Sequence, residues 1–469
     1  MAVYSRLESI GLKQQRLLLG AGKIILEAPG NDIDCLECFV TYFNDLYLKE
    51  DEIIDHAEVF HPLSVRLFMN HQPFIRHKQR VIYHKQRFDL EQGLIESDTT
   101  FASHHGKIYE RYQLFIDQKQ QNQMLFSYEI QTEESQHITL QTGVFTPHPQ
   151  AKVEANDAFI TWRSELLKKG TKFVVSEGLW PDFGFPFELV QTEEATYREF
   201  QFQTTPKERY SYTKIVLFSH SNRAEYENPT LRLERTYRKG FDQVLKQNTQ
   251  FWKQTWKNSG IEIKGDESVQ AGLKNIIYRF ICMRPSSEIN LLNQVDASSK
   301  TMVSRYYNPD EVLRLPFYLN TDHDSAKAII QHLISTLPLA KKRAQQLNKQ
   351  GAYYPEITPN GWNHYENVMI GRSILEYVER TADTSIYQAG GLETMLEIAR
   401  FTVTEITHLG QLLQIVTRDP NYPLVDNEAK TNYLVHDFLQ GFIDALEWIR
   451  THEKDYYQPF SEKQYAKRE

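Results

Sequence analysis

Carboxylate side chains in the loops between predicted helices are the residues of this chain best suited to chemistry. A carboxylic acid held against a glycosidic oxygen can protonate the leaving group, so loop carboxylates of this kind are typical of glycoside chemistry. Each of them taken alone also fits a helix cap or a solvated surface residue. The set comprises Asp310, Glu311, Glu356, Glu366, Asp419, Asp426 and Glu428.

Three short motifs have spacings that metal sites also use. Cys35 and Cys38 have the spacing of a zinc knuckle or a redox pair, but a structural zinc needs four ligands and no second pair follows. His104 and His105 would point to opposite faces of a strand, so they cannot easily bind one metal ion together. The Asp-His-Asp run at 322–324 directly precedes a predicted helix, where a carboxylate commonly caps free N–H groups. Capping is favoured there, and the sequence predicts no metal site.

Two further motifs have simple structural interpretations. Residues 20–23, Gly-Ala-Gly-Lys, lack the upstream glycine and the following Ser or Thr of a phosphate loop, so they predict a turn. The aromatic run at 180–187 could stack on the apolar face of a sugar. A turn whose rings close one end of a sheet sandwich is the favoured alternative.

Composition limits the classes of function. With 469 residues the chain is long enough for two or three packed units, and 41% hydrophobic with 24% charged residues is typical of globular proteins. A formal net charge of −8 at pH 7 disfavours nucleic acid as a partner. Three cysteines suit a reducing compartment, which predicts a cytoplasmic protein. The sequence shows neither a signal-peptide pattern nor an apolar run of about 18 residues, so neither secretion nor a membrane span is expected.

The hydrophobic period changes along the chain. Up to about residue 235 short aromatic and β-branched runs alternate with period two, as at 80–84, 107–112 and 124–130, which predicts an antiparallel β-sandwich over 1–235. Segment 236–265, with Trp252 and Trp256, predicts a helical linker.

From residue 266 the apolar residues recur with the period of a helix. The first stripe follows Asp266 as N-cap, and further stripes cover 326–337, 368–378, 392–406 and 429–449. We therefore expect a helical domain over 266–469 with about six helices.

Short segments spread over most of the chain share their order and spacing with one known family. They are 88–95, 212–218, 260–266, 315–319, 351–355, 381–383, 399–401, 425–427 and 431–432. Together with the sandwich and the tryptophan-bearing linker, they resemble glycoside hydrolase family 65, the maltose, trehalose and kojibiose phosphorylases. The resemblance implies a β-sandwich followed by an (α/α)6 barrel, an α-glucoside disaccharide as substrate, inorganic phosphate as co-substrate and no cofactor.

The resemblance also assigns a catalytic position. In the family one glutamic acid protonates the glycosidic oxygen while phosphate attacks the anomeric carbon from the opposite face. That acid stands in a Val-Thr-Gly-Pro-Asp-Glu-Tyr motif, and the matching stretch 416–422 places Asn421 at its position. An amide cannot donate this proton, so the resemblance implies weakened or lost catalysis. Three nearby carboxylates, Asp419, Asp426 and Glu428, are candidates to replace the acid.

The sugar-binding motif is altered as well. The family's Phe-Trp-Asp-Thr-Glu corresponds to residues 307–311, where Pro309 replaces the aspartate and Glu311 stays in register. Tyr307, Asn308 and Glu311 are therefore the predicted substrate-binding residues, together with Glu356.

About six helices would form only half of an (α/α)6 barrel, and the family's phosphate loop belongs to later helices. The sequence thus predicts an incomplete, divergent family member. Three hypotheses remain open: a carbohydrate-active enzyme with weakened catalysis, a silent sugar-binding or interaction protein, and a decayed fragment. Uncovered apolar helix faces would favour a homo-oligomer or a partner chain that completes the barrel.

Overall fold

The chain divides into two compact units, called here the first and second unit. The first comprises Met1–Arg284 and Asn293–Ser304, and the second comprises Pro285–Leu292 and Arg305–Glu469. The first unit thus includes the helices that the sequence assigned to the linker and to the start of the helical domain. The boundaries at 235 and 265 stay predictions. The computed structural model describes residues 16–29, 33–34, 40–50, 53–59, 62–145, 151–156, 158–165, 172–192, 194–221, 226–285, 303–305, 309–355, 357, 361–417, 421 and 423–466.

Antiparallel strands make up most of the first unit, as the period-two pattern predicts. The strands are β1 (Arg16–Gly20), β2 (Ile24–Pro29), β3 (Val40–Glu50), β4 (Ile53–Val59), β5 (Ser64–Met69), β6 (Gln72–Pro73), β7 (Arg80–Asp89), β8 (Leu94–Ser103), β9 (Gly106–Ile116), β10 (Gln123–Thr132), β11 (His137–Val144), β12 (Lys152–Ala155), β13 (Phe159–Glu165), β14 (Lys172–Pro181), β15 (Phe187–Gln191), β16 (Thr196–Gln203), β17 (Arg209–His220) and β18 (Val303–Arg305). The three sheets have the strand orders β1-β2-β3-β4-β18, β12-β13-β14-β17-β10-β9-β8-β7 and β15-β16-β11-β5-β6.

The eight-stranded sheet and the sheet centred on β11 pack face to face. Side chains of the two sheets meet in the interior, where Arg198 on β16 pairs with Glu177 on β14 and Tyr212 on β17 donates to Thr142 on β11. Alternation is clear in strands such as β8 and β16, where every second residue is buried, so these strands present one face to the interior. The first unit is therefore a β-sandwich, as predicted.

Three helices follow the strands of the first unit: α1 (Pro229–Lys239), α2 (Phe241–Ser259) and α3 (Glu267–Cys282). Asp266 caps α3 as predicted, since its side chain accepts hydrogen bonds from the first-turn N–H groups. Trp252 of α2 is buried and stacks on Tyr278 of α3 with ring centroids 4.8 Å apart. The indole N–H of Trp256 donates to the carbonyl of Leu90 at 2.9 Å, next to the end of β7. These contacts fasten α2 and α3 to the sheets.

The second unit is helical, with one two-stranded hairpin. Its elements are α4 (Pro309–Thr321), α5 (His323–Ser335), α6 (Leu337–Gln346), α7 (His364–Thr381), α8 (Leu392–Glu405), β19 (Ile415–Val416), β20 (Leu424–Val425), α9 (Ala429–His452) and α10 (Lys454–Ala466).

The described residues from Glu267 onward form eight α-helices, whereas about six were expected. A new helix begins at Leu337, at the end of the predicted 326–337 stripe, with Pro338 in its first turn, where proline is favoured. The C-terminal residues 453–469 are mostly polar. Three half-buried aromatic side chains of α10 nevertheless pack on the helical core: Tyr456, Tyr457 and Phe460.

Helices α7 and α9 run parallel and approach closely. A Cβ at Gly371 of α7 would lie 2.1 Å from the Phe438 ring of α9, and a Cβ at Gly441 of α9 would lie 2.7 Å from Leu375 of α7. Glycine is required where the ring of one helix contacts the backbone of the other. Because residue numbers rise together along both helices at these contacts, α7 and α9 have their N-termini at the same end.

Candidate functional site

Predicted site residues occur at the N-terminal ends of three helices that pack in succession. Glu311 belongs to the first turn of α4, Glu366 to the first turn of α7, and Glu428 is the N-cap residue of α9. Helix α4 packs on α7, and α7 packs on α9. The fold thus brings Glu366 and Glu428 to the same end of the α7–α9 pair. The predicted residues Tyr307, Asn308, Glu356 and Asp419, and the side chain of Glu311, lie outside the described residues.

Asn421 lies in an exposed turn between two short paired strands. Ile415 pairs with Val425, and Val416 pairs with Leu424. We call the described residues 411–417, 421 and 423–428 the hairpin segment. The residue at the predicted acid position is exposed to solvent.

Residues just before α7 hold the hairpin segment in place. The N–H of Trp362 donates to the carbonyl of Gln414 at 2.8 Å, and the N–H of Val416 donates back to the carbonyl of Trp362 at 2.9 Å. A Cβ at Gly361 would lie 2.4 Å from both the Gln414 carbonyl oxygen and a methyl group of Leu424. Only glycine fits at this crossing.

The two described carboxylates near Asn421 make contacts within the local backbone and helix start. Asp426 accepts a hydrogen bond from the N–H of Gln414 at 2.8 Å, which closes the base of the hairpin segment. Glu428 accepts a hydrogen bond from the hydroxyl of Thr431 in the first turn of α9. Both side chains therefore have structural partners in the folded chain.

A cation lies between the starts of α7 and α9. The ammonium group of Lys430 lies 4.4 Å from the centroid of the Tyr365 ring, a cation–π contact. Lys430 thus adds a positive charge at the end of the helix pair where the carboxylates Glu366 and Glu428 also lie.

An aromatic cluster supports the segment before α7; we define it as Tyr353, Trp362, His364 and Phe401. The Tyr353 and Phe401 rings stack at 4.8 Å, and Trp362 contacts both edge-on at 6.1 and 5.9 Å. The Tyr353 hydroxyl accepts the N–H of Asn363 at 3.0 Å, and burial raises the pKa of Tyr353 to about 12. The cluster fixes the direction in which the chain enters α7.

His364 is the member of this cluster that sequence reasoning missed. It is fully buried, and among the described residues neither of its ring nitrogens has a hydrogen-bond partner. Burial, with a smaller contribution from the positive charge of Lys349, lowers the pKa of His364 to about 4. A signal was present, because His364 precedes Val368 by one helical turn and extends the apolar stripe of α7.

The remaining candidates have structural roles where they are described. Asp322 caps α5, accepting from the N–H and the hydroxyl of Ser325, so the capping interpretation is confirmed. His105 lies in the exposed turn between β8 and β9. Cys35 and Cys38 lie outside the described residues. Within the described ranges no three His, Cys, Asp or Glu side chains gather as metal ligands would.

The aromatic run at 180–187 packs on the rings of neighbouring strands. Phe185 stacks on Phe202 at 4.8 Å, and Phe183 contacts both Phe202 and Phe200. Trp180 stacks on Tyr237 of α1 at 4.1 Å. The rings close a region of the sandwich, in agreement with the favoured interpretation.

None of the helices in the described part of the chain has the length and apolar character to cross a membrane.

Comparison with known proteins assigns both parts of the chain to one family. Residues 40–255 match the N-terminal domain of glycosyl hydrolase family 65, and residues 305–466 match the central catalytic domain of that family. The nigerose phosphorylase of Lachnoclostridium phytofermentans is 22% identical over 80% of this chain and 58% of its own length. The α,α-trehalose phosphorylase of Thermoanaerobacter brockii is 26% identical over 54% of this chain and 36% of its own length.

A solved structure has the same fold. The putative kojibiose phosphorylase from human microbiome superposes with a TM-score of 0.77 at 16% identity, over 92% of this chain and 63% of its own. The chain thus spans less than two thirds of the length of each of these relatives. Because the matches to the two family domains cover most of its residues, the chain belongs to glycosyl hydrolase family 65.

Proposed function

We propose that this chain is a carbohydrate-active family 65 protein that binds α-glucoside disaccharides and has weakened or lost phosphorolysis. The observation that carries the proposal is an amide, Asn421, at the position that the family resemblance assigns to the general acid. General acid catalysis typically contributes about 10²–10⁴ in rate. A chain without that acid would bind its sugar and cleave it slowly, if at all.

The contacts of the neighbouring carboxylates support this proposal. A replacement acid would have to reach the bridging oxygen of the sugar while carrying a proton. Asp426 accepts the backbone N–H of Gln414, and Glu428 accepts the hydroxyl of Thr431. Each would have to give up its contact to replace Asn421. The third candidate, Asp419, stays a prediction.

Related proteins suggest the ligand class. Named relatives are phosphorylases of nigerose, α,α-trehalose, kojibiose and maltose. We therefore propose these four disaccharides as ligands and inorganic phosphate as co-substrate of any residual activity. An incomplete (α/α)6-barrel-like architecture and the cytoplasmic location belong to the same proposal.

A direct assay tests loss of catalysis separately from loss of binding. The purified chain is incubated with each disaccharide and phosphate, and glucose 1-phosphate is quantified while calorimetry measures disaccharide binding. We expect binding with little or no release, and release on the order of a hundredfold faster in Asn421→Glu. Gln440→Glu, on the exposed side of α9, is the matched control and should change nothing. Brisk release by the unmodified chain, or no binding of any of the four sugars, would contradict the proposal.

Self-association, predicted from the incomplete barrel, is a second proposal. Its support is a set of large apolar side chains exposed along α9: Tyr433, Ile443 and Trp448, at 72%, 49% and 39%. A second chain could cover these apolar side chains, and burial of apolar surface drives association. Sedimentation velocity should show a dimer that Ile443→Glu dissociates. A monomer at all concentrations would refute self-association, while a monomer that still binds a disaccharide would leave the sugar proposal intact.

A further inference from the structure

The ring of His364 lies where burial, missing hydrogen bonds and a nearby cation all disfavour a charge. The side chain is 0% exposed, and in the described part of the chain neither ring nitrogen has a hydrogen-bond partner. Its ring centroid lies 6.2 Å from that of Phe401. An imidazolium there would leave two N–H donors without acceptors in an apolar site, which is costly.

Charged and titratable groups lie on the elements around the aromatic cluster, and Lys349 is the one whose charge acts on His364. Lys349, which follows α6, has its ammonium 5.4 Å from the Trp362 ring centroid and pairs with Glu405 at the end of α8 at 2.7 Å. Arg343 of α6 donates to the carbonyls of Tyr354 and Pro355. The other titratable groups are Tyr353, which is buried in the cluster, and Glu366 in the first turn of α7.

The same cluster carries the backbone that holds the hairpin segment. Trp362 exchanges two backbone hydrogen bonds with Gln414 and Val416, while its ring packs on Phe401 and Tyr353. His364 follows Trp362 by two residues and packs on the same Phe401 ring. A displacement of the His364 ring would therefore move Trp362 and, through its two backbone hydrogen bonds, the hairpin segment.

We propose that His364 is an acid-sensitive positioning residue: protonation of its ring expels it from the aromatic cluster and releases the hairpin segment, while the core of the second unit stays folded. The proposal does not depend on catalysis, because it concerns how the turn that carries Asn421 is held.

The direction of the pH effect follows from the shift. We call the state with the His364 ring inside the aromatic cluster closed, and the state with the ring expelled open. The pKa of His364 is about 4 in the closed state, compared with 6.5 for an ordinary histidine. The open state therefore takes up a proton below about pH 6.5 and the closed state does not. The closed state is fully stable above that pH and loses stability as pH falls to about 4. The opening equilibrium should rise on the order of a hundredfold across this window.

Hydrogen exchange measured by mass spectrometry on the full chain, corrected for intrinsic exchange rates, tests the proposal. Peptides that cover 411–428 should lose protection on the order of a hundredfold between pH 7 and pH 4, while peptides from the centre of α7 keep theirs. His364→Phe, which fills the cluster and cannot titrate, should abolish the loss. A melting curve at pH 7 verifies that this variant is folded, and His364→Gln provides a second non-titrating variant.

Two control variants separate His364 from other titrating groups. His436→Phe changes an exposed histidine of α9 and should leave the pH response of the hairpin segment unchanged. Glu405→Gln removes the carboxylate that pairs with Lys349 and should also leave a clear acid response. A loss of protection that persists in both His364 variants, or that includes the centre of α7 in the unmodified chain, would overturn the proposal.

Discussion

The interiors of the two units differ in their use of charge. Between the sheets of the first unit, Glu177 pairs with Arg198 at 2.6 Å and with Lys214 at 2.8 Å, and all three side chains are fully buried. The core of the second unit consists of aliphatic and aromatic side chains from α4–α10. Ion pairs of its helices, such as Arg372 with Asp437, lie at partly exposed positions. Both interiors are largely apolar, but the first unit has ion pairs whose partners are all buried, whereas the described ion pairs of the second unit have at least one partly exposed partner.

A second ionic group extends this pattern through the sandwich. Arg76 binds Glu110 through two of its nitrogens, at 2.6 and 2.9 Å, and also donates to the carbonyl of Val65 on β5. Tyr128 donates to the same carboxylate at 2.6 Å. Burial raises the pKa of Tyr128 well above its ordinary value, so it stays a donor.

The interiors of the two units should respond differently to mutation. A buried ion pair gains little net stability, because desolvation offsets the attraction, but removal of one partner strands the other charge. Burial lowers the pKa of Lys214 and its neighbour Glu177 opposes that shift. The sandwich should therefore be sensitive to the loss of a single charge, and the helical unit to changes in volume.

The largest expected effect is that of Glu177→Ala. It leaves Arg198 and Lys214 buried without their carboxylate, so the free energy of unfolding should fall by roughly 3–5 kcal/mol. Urea unfolding followed by circular dichroism measures the change. Glu129→Ala is the matched control, since Glu129 pairs with Arg209 at 3.8 Å on the surface, and it should cost less than about 1 kcal/mol. Equal losses in both variants would remove the distinction between the two interiors.

A change of volume tests the second unit. Gly371→Ala places a methyl group against the Phe438 ring and should destabilise by about 1–3 kcal/mol. Gly272→Ala on α3 of the first unit meets no atom within 4 Å and should stabilise by about 0.5–1 kcal/mol through helix propensity. Thermal denaturation of both variants gives the comparison. A stabilising Gly371→Ala would contradict the close approach of α7 and α9.

The smallest effect concerns a helix cap in each unit. Asp322→Ala should cost about 1 kcal/mol, and Asp266→Ala a similar amount, because each carboxylate accepts first-turn N–H groups. Asp322→Asn should keep most of the stability, since an amide oxygen also caps. Melting temperatures that rise on addition of Zn²⁺ or Mg²⁺ and lose that response in Asp322→Ala would instead favour a metal at this position.

The hydrophobic pattern of the sequence correctly predicted secondary-structure elements where its periodicity was strong. Strands β7, β9 and β10 and helices α8 and α9 are found where alternation or helical stripes place them, and Asp266 and Asp322 cap the helices that follow them. Helix α10 was missed because its half-buried aromatic side chains stand among polar residues and Pro459 interrupts the pattern. The candidate site rests on residue type and family resemblance and stays a prediction; of its described residues, Glu366 and Glu428 lie at the starts of α7 and α9.

Partnerships over long sequence distances could not be predicted from local pattern. Glu177 and Arg198 each look like an ordinary polar strand residue, and only the packing of one sheet on another makes them a buried pair. Similarly, nothing near Gln414 in the sequence indicates that its carbonyl accepts the N–H of Trp362.

By itself the sequence determined the periodicity of each half, the caps and turns, and the chemistry available at each position, including an amide without an acidic proton at Asn421. These properties depend on residues within a few positions of one another. Only the tertiary structure decided which charges are buried, which helices run parallel, and that His364 lies in an aromatic cluster without a hydrogen-bond partner among the described residues. Burial and hydrogen bonding depend on residues that folding brings together from distant parts of the chain.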